Sequence, residues 1–256
     1  LVLLSCAKTM SAVSKVKVPL TTSPRFQKEA AEIALQMSQF SVDELERLLR
    51  VNAKIAVENY KRYQAFHAEA TPELPALLAY TGIVFKRLNP KDFSAEDFGY
   101  AQEHLRLTSF CYGLLRPLDV IRAYRLEGDV VLPELGNQTL FFYWRSRLTD
   151  TFIEDIRSAG GILCNLASDE MKSLFDWKRV ESEVRVVTPE FHVWKNGKLA
   201  TIVVYTKMSR GEMTRFILKN KIGNPEELKG FSWEGFEFDE SLSDERKLVF
   251  INGMGE

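Results

Sequence analysis

The sequence predicts an α+β fold: a single compact domain over residues 1–256, with a mixed sheet and hairpins surrounded by helices. Three observations predict it. Capped apolar runs at helical spacing are interspersed with short apolar runs of strand length. Asn196-Gly197 stands between two strand-like runs as the favoured two-residue hairpin turn. No linker, repeat or low-complexity tract divides the chain.

Taken in order, Leu1 to Leu4 reads as a short buried strand, and Ser5 to Thr9 as the loop at its end, where sites gather. In that loop Lys8 is a candidate anion ligand, and Cys6 is either a reactive thiol or a small buried residue. Ser23-Pro24 is a cap with a first-turn proline that opens a helix. Ser41 with Glu44 opens the next, whose apolar face runs from Leu45 to Ala56. Thr71 to Pro75 is a loop, and Tyr80 to Phe85 a strand. A strand follows at Asp129 to Leu132, then a helix from Phe141 to about Ala159, broken by Gly160-Gly161. Ile162 to Asn165 is a buried strand, and Ser168-Asp169-Glu170 begins another helix. There Asp169 and Glu170 are candidate catalytic residues, as general base, although acids in a first helical turn also complement the helix dipole. Val184 to Trp194 and Leu199 to Tyr205 are the hairpin strands, Lys207 to Asn220 is a helix, and Gly235 to Asp239 with Lys247 to Ile251 closes the chain as a second hairpin.

The stretch from Ser94 to Glu127 holds the densest functional signal. Ser94 and Asp97 form a capping box, and Phe98, Ala101, Leu105 and Tyr112 recur at helical spacing, so a helix should run until Gly113 stops it. A second helical run is expected from Pro117 to Tyr124. Between Arg106 and Arg125, the four arginines Arg106, Arg116, Arg122 and Arg125 are set against one acid, Asp119. Helix, glycine hairpin and helix with flanking arginines is the layout of a helix-hairpin-helix element, which grips phosphate without reading bases. The other account is a structural corner whose arginines pair with Asp119, Glu127 and other acids.

Composition excludes several classes. A net charge of −1 argues against a protein that coats nucleic acid over its whole surface, so any polyanion site is a local basic groove. Basic residues do cluster, with five between Lys207 and Lys221 against Glu212 alone. Three widely spaced cysteines give neither a disulfide framework nor a CxxC site, and three histidines without ligand spacing make zinc improbable. No Walker A, GxGxxG or GxSxG element is present, and no cofactor or metal is expected. No apolar run reaches membrane length, and Val2 to Leu4 is too short for a signal peptide; a cytoplasmic protein is expected.

LLSCAKT (Leu3 to Thr9), EDFGYAQEHLRLTSFCYGLLRPLDVIRAYRLE (Glu96 to Glu127), NLASDE (Asn165 to Glu170), KMSRGEMTRF (Lys207 to Phe216), GFSWEGFEFDE and LVF (Leu248 to Phe250) are six collinear motifs. Through them the chain resembles the YaaA family of bacterial peroxide-stress proteins over nearly its whole length. The resemblance implies a cantaloupe-like α+β fold. It also implies a role in limiting peroxide damage by lowering free iron, and binding of duplex, bent or branched DNA through a basic groove with a helix-hairpin-helix element. The chain departs from the family in carrying Cys6 where proline is usual, and in lacking the second hairpin glycine.

The residues inside these motifs give a candidate DNA or anion site of Lys8, Arg106, Gly113, Arg116, Arg122, Arg125, Lys207, Arg210 and Arg215, expected to be mostly displayed along one groove. DNA is the expected partner. The alternative is an enzyme on a phosphorylated or nucleotide-like small molecule, with Lys8 and the arginines holding the anion and Asp169 or Glu170 as base. A third reading is carboxylate iron binding by Asp169, Glu170 and Glu127.

Overall fold

A computed structural model describes residues 1–195 and 197–253. Inside its main sheet lies the strand Val2–Leu4, wholly apolar and buried, which accepts parallel partners on both sides: Leu105–Ser109 on one and Ile162–Asn165 on the other. Ile162–Asn165 pairs in parallel with Arg185–Lys195, and that strand with Lys247–Asn252. Antiparallel strands finish the sheet: Gly113–Leu115 at one edge, Phe236–Asp239 at the other, and Lys198–Ala200 beside Arg185–Lys195. A central parallel block must be covered on both faces, and the helices and loops supply that cover. Two small two-stranded ladders, Glu73–Pro75 with Val120–Arg122 and Val131–Leu132 with Gln138–Thr139, lie outside the main sheet.

Several local expectations hold. Ser41 and Ser94 cap Val42–Leu49 and Ala95–His104 with both reciprocal bonds of a capping box. The long helix spans Leu140–Ser158, the strand Ile162–Asn165 is as expected, and Phe236–Asp239 pairs with Lys247–Asn252. The first hairpin also forms, Lys198 facing Lys195; its Asn196 lies outside the described residues.

Other expectations are corrected. The helix from Ser94 ends at His104 instead of near Gly113, and Leu105–Ser109 is a fully buried strand. Leu105 satisfies both helical and alternating spacing, and the slot beside Val2–Leu4 decides for the strand. Pro117 to Tyr124 is not a helix either: Asp119 accepts from the Arg116 amide at 2.8 Å to close a turn, and Val120–Arg122 pairs with Glu73–Pro75. The segment is therefore one helix followed by three short strands joined by turns, and the helix-hairpin-helix element is absent from it. Tyr80 to Phe85 gives a helix at Ile83–Leu88 instead of a strand, and Glu73–Pro75 is a strand instead of a loop. The helix after Ser23-Pro24 starts only at Gln27, and the next apolar face is divided at Arg50, whose φ of 51° ends one helix before Asn52 caps Ala53–Ala65. The strand expected to Tyr205 stops at Ala200, since the last long helix already starts at Val203.

Gly113 holds φ at 71°, and a Cβ there would sit 2.7 Å from the Trp144 ring. It is a packing position in the core, beneath the indole whose Nε1 donates to the Phe110 carbonyl at 2.8 Å. Among the described residues no helix is long and apolar enough to cross a membrane.

Candidate functional site

Because Val2–Leu4, Leu105–Ser109 and Ile162–Asn165 are parallel, their carboxyl ends share one edge of the sheet. The chain lays Leu105–Ser109 on one side of Val2–Leu4 and later returns to lay Ile162–Asn165 on the other, so strand order reverses at this point. In open α/β sheets such a reversal leaves a crevice outside the carboxyl ends, where ligands bind. A cavity of about 390 Å³ lies there, lined from both strand ends by Leu4 to Thr9 and by Leu166, Ser168, Glu170 and Met171. The two loops are tied together: the Ser168 amide donates to Ser5 Oγ at 2.9 Å, and the two hydroxyls are 3.3 Å apart.

The remaining walls come from Gly82 to Val84, from Tyr124 to Leu126, and from Lys207 and Arg210 on the helix Val203–Asn220. That helix sits close because Gly211 meets the Val84 carbonyl; a Cβ there would come within 2.3 Å of the oxygen.

Four of the nine sequence-derived anion candidates, Lys8, Arg125, Lys207 and Arg210, converge on this cavity, with Glu170 among its lining residues. Lys8 Nζ donates to Glu127 Oε2 at 2.6 Å, and the Arg125 guanidinium lies 3.7 Å from Glu127 Oε1. Glu127 is 2% exposed, so the carboxylate is built into the wall. Arg125 Nε and Arg210 Nε are buried without a hydrogen-bond partner among the described residues. So are Asn165 Nδ2, at the end of a cleft strand, and Ser209 Oγ, next to Arg210. Buried polar atoms are almost always paired, so these four, gathered around one cleft, are exceptions to that rule. Burial pushes the Arg210 guanidinium below its ordinary range, with Asp169 opposing that shift.

The other candidates are spent on structure, contrary to the expectation of display. Arg106 is 8% exposed; its Nε donates to Asp155 at 2.7 Å, and its Nη1 to the carbonyls of Gln102, Glu103 and Leu105. Arg116 binds Asp119 at 2.8 Å, and Arg122 binds Glu73 at 2.9 Å and the Phe66 carbonyl. Arg215 pairs with Asp92 and donates to the Leu88 and Asn89 carbonyls. Gly113 is in the core. The pairing account thus describes Arg116 with Asp119 and Arg125 with Glu127. Asp169 is almost fully exposed and turned to Lys172 at 2.7 Å, which holds its carboxyl below the usual range. Burial pushes the Cys6 thiol up to about 12, partly offset by Thr108, so it is no thiolate at neutral pH. Among the described residues no three His, Cys, Asp or Glu side chains come together as a metal cluster, which removes the grouping of Asp169, Glu170 and Glu127 around iron.

A second concavity, of about 970 Å³, was not legible in the sequence. Ser11 to Lys17 forms one side, and Lys86 and Lys91 stand on the other. Lys15, Lys17, Lys86 and Lys91 are exposed, no acid lines the groove, and none of the four makes an ion pair among the described residues. It adjoins the cleft through the Thr9 to Ser11 segment, which is bonded to Ala79 and Thr81.

Comparison with known proteins agrees with the six motifs. A family model described as peroxide stress protein YaaA matches residues 1–242. A UPF0246 protein of Bacteroides thetaiotaomicron is 99% identical over the full length of both chains. A UPF0246 protein of Porphyromonas gingivalis is 52% identical over 98% of this chain and 99% of its own. One from Crocosphaera subtropica is 37% identical with the same coverage. With a family model matched over residues 1–242 and relatives aligned over nearly the whole of both chains, this chain belongs to the peroxide stress protein YaaA family.

Proposed function

We propose that the cleft binds a phosphate-bearing ligand, and that the chain serves the peroxide response by holding DNA, with one phosphate in the cleft and the neighbouring backbone along the lysine groove. The convergence of Lys8, Arg125, Lys207 and Arg210 on one cavity carries this reading, because a phosphate supplies the acceptors that such a group of cations calls for. Four exposed lysines in a groove that no acid lines supply the sequence-independent attraction that backbone binding requires. Binding of this kind reads the shape of the duplex more than its bases. Limiting iron-driven damage is the cellular outcome proposed for such occupancy.

Fluorescence anisotropy of labelled duplex and four-way-junction DNA over a salt series tests the reading. Binding should weaken linearly on a log-log plot, and replacing Lys15, Lys17, Lys86 and Lys91 by Gln should lower the slope by about 3 to 4. Absence of binding to either DNA at low salt removes DNA as the ligand.

The second reading, an enzyme on a phosphorylated small molecule, is favoured by one observation: Glu170 lines the same cleft as the cations. Glu170 would be the base, since Asp169 is committed to Lys172. A thermal-shift screen with nucleotides tests it, and a failure of every nucleotide to stabilise the protein removes it.

A further inference from the structure

We propose that the cleft selects a terminal phosphate, a phosphomonoester, over the internal phosphodiester of a continuous strand. This rests on the phosphate-binding reading above and narrows it to the end of a ligand.

Charge is the first argument. Lys8, Arg125, Lys207 and Arg210 face Glu127 and Glu170, leaving a surplus of two positive charges. A phosphodiester brings one negative charge, whereas a phosphomonoester at neutral pH brings about 1.5 to 2. The monoester matches the surplus and the diester leaves a buried cation uncompensated, which is costly in a site already desolvating Arg210.

Depth is the second. The orphaned Nε atoms are buried, and the cavity is floored by the strand ends at Leu4 and Leu166. An internal phosphate carries carbon on two of its oxygens, so it reaches buried donors only where the chain can enter and leave. A terminal phosphate arrives with three free oxygens and a single tether. Those oxygens answer to the two guanidinium groups and to Lys207.

The apolar wall is the third. Ile83, Val84, Phe110, Leu126 and Met171 give the tethered group a surface without charge. A pocket of about 390 Å³ is of the size that small ligands fill. Both a free nucleotide and the phosphorylated end of a nucleic-acid strand present this chemistry.

Isothermal titration calorimetry on the full chain decides it, with phenyl phosphate against methyl phenyl phosphate as the minimal pair of esters. The monoester should bind at least about tenfold tighter. Its advantage should grow from about pH 5 to about pH 7.5, as the phosphate loses its second proton near about pH 6. Arg210→Gln should abolish the preference, and the exposed Lys207→Gln should reduce it with the melting temperature unchanged. A short oligodeoxynucleotide with a terminal phosphate, compared with a mononucleotide and with the same strand lacking the phosphate, identifies the source. Tighter binding of the phosphorylated strand assigns the strand end; equal binding of the mononucleotide assigns the free nucleotide. Equal affinity for the two phenyl esters overturns the terminal-phosphate inference and leaves the phosphate cleft standing. Binding of neither ester overturns both.

Discussion

The Lys8 ammonium and the Glu127 carboxylate meet at 2.6 Å across 119 positions of sequence, one half exposed at the cleft and the other sealed beneath it. Glu127 also draws in Arg125, so a single buried carboxylate orients two of the cleft's cations. Glu127→Gln should therefore have two effects of opposite sign. Thermal unfolding should show a loss of about 1–3 kcal/mol, since Arg125 keeps its burial and loses its counter-charge. Phenyl phosphate should bind more tightly, because the surplus of positive charge rises by one. An unchanged melting temperature would show that the pair is incidental.

Gly113 separates packing from phosphate binding. Gly113→Ala forces a side chain into a left-handed backbone and against Trp144, for a loss of about 3 kcal/mol in chemical denaturation. The folded fraction should bind phosphate as the parent does, whereas a glycine acting as a hairpin anion donor would lose affinity.

Arg106 makes the same separation for charge. Arg106→Leu leaves Asp155 with the more exposed Arg25 alone, and should cost about 3 kcal/mol by urea titration. The salt dependence of the proposed DNA binding should not change, because Arg106 is bonded to Asp155 and to backbone carbonyls. A slope reduced by one would place it back in the groove.

Asp97 sets an acid limit on the fold. Against the upward pull of burial, Lys219 and Lys221 hold its carboxyl well below the usual range, with help from the Ser94 cap. Its folded value lies below the unfolded value of about 3.9, so the stabilisation is complete above that value. It drains away as pH falls through the folded value. Asp97→Asn should be less stable than the parent by about 2 kcal/mol at pH 7, and the gap should narrow as pH falls below about 3.9. A gap that stays constant across this range would exclude the ionised carboxylate as its cause.

Cys6 should resist alkylation. With burial raising the thiol to about 12, little of it is thiolate at neutral pH, so maleimide labelling of the native protein should lag far behind that of the urea-unfolded chain. Equal rates would mark Cys6 as a reactive thiol.

Local chemistry made some of this structure readable and hid the rest. Capping boxes at Ser41 and Ser94 involve residues three apart, so they stand in the sequence as they stand in the fold. The strand Ile162–Asn165 is short, apolar and bounded by breakers, and it too can be read directly. Leu105–Ser109 could not be separated from the preceding helix, because its partner strands lie far away in the chain. The same distance hid the roles of the arginines. Arg106 and Arg125 share a basic stretch, yet Asp155 claims one and the cleft takes the other. Of the site, Lys8, Arg125, Lys207, Arg210 and Glu170 were nameable as chemistry. Their convergence came from topology. The four lysines of the second groove carry no motif at all.

The first strand in the sequence lies inside the sheet, and the residues just beyond it bond partners 102 and 163 positions later. During translation this strand therefore emerges before either of its neighbours. Val2–Leu4 waits, apolar and unpaired, until Leu105–Ser109 has been made. Such long-range closure is slow and leaves nascent chains prone to association. Rapid synthesis should thus lose this protein to inclusion bodies before it folds, and slowing translation or adding a chaperone that holds extended apolar segments should recover it.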